Sequence, residues 1–176
     1  MSRIGLFVGL IALVYISPAS RPGAQPVAAA AGRCANIQIH ITPLRGSAGA
    51  GHVGVEYRMH NMWGSACTLQ GYPGAELLGA RFHTLPTHLH RGLGYLVGAQ
   101  PVRLVTLPGH GNAYFILEWD QIRTQNQPCQ IARYFMVIPP NDNMPVVTYA
   151  APNAGFIRAC SGNVTVSPVS GHPIRF

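Results

Sequence analysis

The sequence predicts an all-β protein: an antiparallel β-sandwich of about seven strands, held by two disulfides. Three observations carry that prediction. Apolar and polar residues alternate through much of the chain, the period of a pleated strand with one buried face. Twenty Gly and fifteen Pro are scattered without a repeat, which suits many tight turns and leaves little room for long helices. Four Cys, an even number, follow a segment laid out like an export signal, and cysteines in an oxidising compartment pair.

Taken in chain order, residues 1–19 read as a signal peptide. Arg3 supplies the positive start, 4–16 is an uncharged run, and Ser17-Pro18-Ala19 places small residues before a cut that falls after residue 19 or as late as residue 30. The run has thirteen residues, short of the roughly 20 a bilayer-spanning helix needs, so no transmembrane helix is expected in the mature form. Residues 20–33 form a Pro/Ala/Gly spacer, and 34–176 a single domain. Arg33 directly before Cys34 does not fit a lipidation signal.

Within the domain, 36–42 places Ile37, Ile39 and Ile41 on one face. In 52–60, Val53, Val55, Tyr57 and Met59 point inward, and His52, Glu56, Arg58 and His60 outward. In 102–107, Val102, Leu104 and Thr106 alternate with Arg103, Val105 and Leu107. In 113–119 the inward set is Ala113, Phe115, Leu117 and Trp119. Nearly all of 132–138 is apolar, as for a strand buried on both faces. Shorter strands follow at 145–149 and 163–167. Gly/Pro-rich turns at 46–51, 108–111 and 139–143 separate these runs. The helix candidates are short, near 75–78 and within 80–100.

Cys34, Cys67, Cys129 and Cys160 allow three pairings, and their spacings match no zinc signature. Strand order favours Cys34–Cys67 and Cys129–Cys160. A hairpin of the first two strands returns the chain towards Cys34 just before Cys67, and a hairpin of 132–138 with 145–149 returns it towards Cys129 shortly before Cys160.

All twelve basic residues are Arg, against five acids, for a net charge of +7. Such a balance favours an anionic envelope component, or another secreted protein, as partner. The arginines are spread singly, whereas specific nucleic-acid binding concentrates them among aromatics. Of the eight His, His83, His88 and His90 form the one cluster that could hold a metal ion, because a His-x-His pair on a strand shares a face. No acid lies between Glu76 and Glu118 to complete such a site. His52 and His60 share a face but lie too far apart for one ion. Ser47 lacks the glycine two residues before it that a nucleophile elbow needs. Glu118 and Asp120 flank Trp119 as in an ordinary strand. No catalytic residue and no cofactor is assigned. The connection from about 79 to 101 is long enough to suggest recognition, with Phe82, Arg91 and Tyr95 as its binding-surface candidates.

The ordered landmarks resemble the exported bacterial family known as domain of unknown function 4232. They are Cys34, Gly51-His52, Asn61, the block Cys67-Thr68-Leu69-Gln70-Gly71-Tyr72-Pro73, Val105-Thr106-Leu107-Pro108-Gly109, Ala113 to Trp119, Cys129, Pro139-Pro140, Cys160 and Val164 to Pro168. The resemblance covers about residues 34–170 and implies a secreted, immunoglobulin-like sandwich with paired cysteines and no assigned activity. The resulting expectation is a non-enzymatic, extracellular or cell-envelope binding module. A secreted metal-binding protein using His83, His88 and His90, or a small secreted hydrolase, are the alternatives.

Overall fold

Alternation, turns and cysteines resolve into an all-β structure, a computed structural model that describes residues 30–123 and 128–176. The signal peptide and the spacer up to residue 29 lie outside the described residues. Twelve strands run in order: β1 (Ile39–Gly49), β2 (His52–Asn61), β3 (Cys67–Gln70), β4 (Gly74–Leu78), β5 (His88–Arg91), β6 (Leu104–Leu107), β7 (Asn112–Asp120), β8 (Cys129–Ala132), β9 (Tyr134–Ile138), β10 (Val146–Tyr149), β11 (Ile157–Cys160) and β12 (Asn163–Val166). They form a five-stranded sheet in the order β1-β2-β7-β12-β5, a three-stranded sheet β10-β9-β4, and the pairs β11-β8 and β3-β6. Among the described residues no helix is long and apolar enough to cross a membrane.

The core lies between the five-stranded sheet and the smaller ones, and alternation decides who enters it. Val55, Tyr57 and Met59 of β2 and Ala113, Phe115, Leu117 and Trp119 of β7 face Leu69, Leu77, Leu107, Phe135 and Val137 from the opposite layer. Tyr57 is the keystone. Its ring stacks on Phe115 at 5.2 Å and meets Phe135 edge-on at 6.0 Å. Its hydroxyl donates to the Ala150 carbonyl at 2.5 Å, so the polar atom it carries into the core is satisfied. Burial pushes the Tyr57 phenol well above its ordinary range.

Cys34 is bonded to Cys67 and Cys129 to Cys160. The first bond joins the incoming chain to β3, where Cys34 donates to the Thr68 carbonyl and Thr68 donates back to Gly32. The second links residues directly opposite on β8 and β11. Beside the first bond, Gly71 takes φ +104° to turn β3 towards β4, and its carbonyl accepts the Val169 N–H.

Several local expectations change. Strands among the described residues number twelve because the smaller sheets are built from four- and five-residue pieces. One pair is parallel: β12 inserts between β7 and β5 and runs alongside His88–Arg91. The helix candidates are not helices, since 74–78 pairs with β9 and 88–91 with β12. Ile37 leaves the inward face and is 62% exposed, because 36–38 forms a 3-10 turn that buries Gln38 instead. In β6 the expected alternation holds, with Val105 and Leu107 buried and Leu104 outside. The run 132–138 breaks at Arg133, and β9 alternates rather than burying both faces. Glu56 does point away from the core as expected, yet it is buried.

Candidate functional site

Two constellations rise from these strands, one in each layer. The first begins with the β9–β10 hairpin, whose register sets Tyr134 opposite Tyr149. Phe135 and Thr148 turn inward, so strand alternation sends the two tyrosines outward. Their rings lie 5.3 Å apart, tilted by 34°. After β4 the chain folds back through a tight turn, with Phe82 donating to the Gly79 carbonyl and Gly79 donating to that of His83. The turn holds Phe82 at φ +58° and lays its ring on Tyr134 at 4.4 Å and 22°. A bulky residue in the left-handed region costs on the order of 1–3 kcal/mol. Phe82 nevertheless remains 58% exposed, so burial does not compensate for the strain.

The three rings form a shelf along a groove of about 520 Å³ whose other wall is β1, from His40 to Pro43, with Val147 completing the β10 side. β1 and β10 are the outer strands of their sheets. The Thr148 hydroxyl donates to the Ile41 carbonyl at 2.9 Å, stitching the two layers together beneath the groove. Such a preformed concave site with convergent polar groups suits ligand binding.

The second constellation covers the outward face of the five-stranded sheet. The segment after β5 crosses it, and Glu118 accepts the N–H groups of Tyr95 at 2.5 Å and Leu96 at 2.9 Å. The Tyr95 ring stacks on His52 at 4.2 Å, and His52 Nδ1 lies 2.8 Å from Asp120 and 3.8 Å from Glu118. A cavity of about 280 Å³ beside them is also lined by His90 and Thr165. A β-carbon at Gly94 would run into the Glu118 carboxylate and force it to shift from its place under the strap. On the same face Glu56 accepts the Ile174 N–H at 2.6 Å and pairs with Arg45 at 3.0 Å. These carboxylates fasten the backbone of the segments that cross the sheet.

The binding-surface candidates therefore divide. Phe82 belongs to the shelf, Tyr95 to the strap, and Arg91 ends β5 exposed to solvent. The metal candidates divide as well: His88 and His90 lie on β5, while His83 packs against Gly79 in the turn after β4. Among the described residues no three His, Cys, Asp or Glu side chains are grouped to hold a metal ion. Tyr134 and Tyr149 escaped the sequence reading. The signal that could have found them is two aromatics facing each other on the outward parity of an expected hairpin.

No curated protein and no solved structure matches the chain. The family model described as a domain of unknown function (DUF4232) matches residues 34–170, most of the chain and both disulfides, and the protein belongs to that family.

Proposed function

We propose that this protein is an exported, non-enzymatic binding module of the extracellular space or cell envelope, which holds its ligand against the Phe82–Tyr134–Tyr149 shelf. One observation carries the reading: a strained backbone keeps an exposed phenylalanine stacked on Tyr134, which in turn packs against the outward Tyr149, an arrangement neither burial nor local propensity favours. Two disulfides are consistent with an oxidising compartment.

Retention of the protein on isolated cell-envelope material tests the reading. Phe82→Asn keeps a residue that tolerates positive φ, and Tyr149→Ala removes the far ring. Both variants should melt like the parent protein and lose retention. Retention unchanged in both would overturn the shelf as the binding surface.

A further inference from the structure

Resting on the shelf as the binding surface, the groove chemistry also narrows the ligand: we infer that it is a neutral saccharide chain. Sugar rings present flat faces of C–H bonds, which pack on aromatic faces, and edges of hydroxyl groups that both donate and accept hydrogen bonds. The shelf supplies the first partner. Phe82 and Tyr149, at its two ends, expose about half of their surface, 58% and 45%. The rim supplies the second. Its polar groups are the hydroxyls of Tyr134, Tyr149 and Thr42 and the imidazole of His40, and every one can act as donor or acceptor.

Charge separates this ligand from the anionic partners that the overall composition favours. The chain carries twelve arginines and a net charge of +7, yet no guanidinium and no carboxylate lines the groove among the described residues. A binding site for an acidic polymer would draw on that surplus. The β1 wall offers little to an added peptide strand either, because the Ile41 carbonyl is already taken by Thr148. The Thr42 hydroxyl and the His40 ring already bond each other at 3.3 Å, but a hydrocarbon chain would offer no partner to the Tyr134 and Tyr149 hydroxyls. The volume, about 520 Å³, falls within the roughly 300–1,000 Å³ of small-ligand sites and has room for a short oligosaccharide.

The test titrates the disulfide-bonded protein with neutral linear gluco-, manno-, galacto- and arabino-oligosaccharides, read by calorimetry and tyrosine fluorescence. At least one series should bind saturably, more tightly as the chain lengthens, and with little change when salt is raised. Phe82→Asn and Tyr149→Ala should each weaken binding about three- to tenfold, the loss of one aromatic contact. Arg91→Ala, away from the groove, should bind like the parent. No saturable binding to any series, or binding abolished by salt, would overturn the inference. Envelope material treated with periodate, which cleaves vicinal diols, separates this failure from that of the wider reading. Phe82-dependent capture that survives periodate rejects the saccharide but keeps the shelf. Capture independent of Phe82 rejects both.

Discussion

On the inner face of the five-stranded sheet, Tyr57, Met59, Phe115 and Leu117 are fully buried against the opposing sheets, and the single polar atom among them, the Tyr57 hydroxyl, is paired. On the outer face of the same strands, Glu56 and Glu118 are also buried, 1% and 4% exposed. Their neighbours are Ile116, Val97 and Ile174, a small apolar cluster formed where two irregular segments cross the sheet. The inner face coheres through non-directional contact, which any well-shaped apolar partner can supply. The outer face must hold chain that cannot join a ladder, so it uses directional bonds. Glu118 accepts the Tyr95 and Leu96 N–H groups, and Glu56 accepts that of Ile174 and pairs with Arg45; these contacts offset the cost of taking a charge out of water. One β-strand thus serves two kinds of packing, according only to which side a residue faces.

The contrast predicts effects of different kind as well as size. Phe115→Ala opens the contact with Tyr57 and should cost about 3–5 kcal/mol, lowering the melting temperature of the whole protein. Glu118→Ala strands the Tyr95 and Leu96 amides and should cost about 1–3 kcal/mol. Hydrogen exchange should then accelerate at 94–97 while β7 stays protected. A loss matching that of Phe115→Ala, with β7 deprotected, would erase the distinction between the faces.

Alkaline titration sharpens the inner half of the comparison. Because the folded value of Tyr57 is raised, its contribution is complete below the ordinary tyrosine value of about 10 and is lost as pH rises through the raised one. Absorbance should reveal one tyrosine that ionises only as the protein unfolds, and Tyr57→Phe should abolish that coupled phase.

The smallest effect belongs to neither face. Asp142 sits in the turn between β9 and β10; slight desolvation acts to raise its value, but the N–H groups of Asn143, Met144 and Asn36 prevail and hold it below the usual carboxylate range. Its contribution is therefore present above the unfolded carboxylate value and fades as pH falls through the lowered one. Asp142→Asn should flatten the acid limb of the stability curve slightly. An unchanged limb would mean that these bonds persist without the charge.

How far residues could be assigned to these faces before folding depended on the range of the forces involved. Val55, Tyr57 and Met59, and Phe115 through Trp119, were legible because pleating alone alternates their direction. The β1–β2 and β9–β10 hairpins were legible from their turns. Glu56 was correctly read as outward, yet nothing near it in the chain signals that Ile174 and Arg45 will close over it. The shelf was half legible: Phe82 stood out in a long connection, but its partners come from a separate hairpin. The parallel β5–β12 pairing had no local signature, because a parallel partner is reached through the rest of the fold rather than through a turn.

By itself, then, the sequence determined the strand period, most of the inward side chains and the turn chemistry, all of which follow from sterics within a few residues. Tertiary structure alone decided which segments cross the outer face, which carboxylates they bury, and that Phe82 stacks on Tyr134, the neighbour of Tyr149. Those outcomes depend on surfaces brought together only after the strands have formed, and a one-dimensional pattern does not encode their distances.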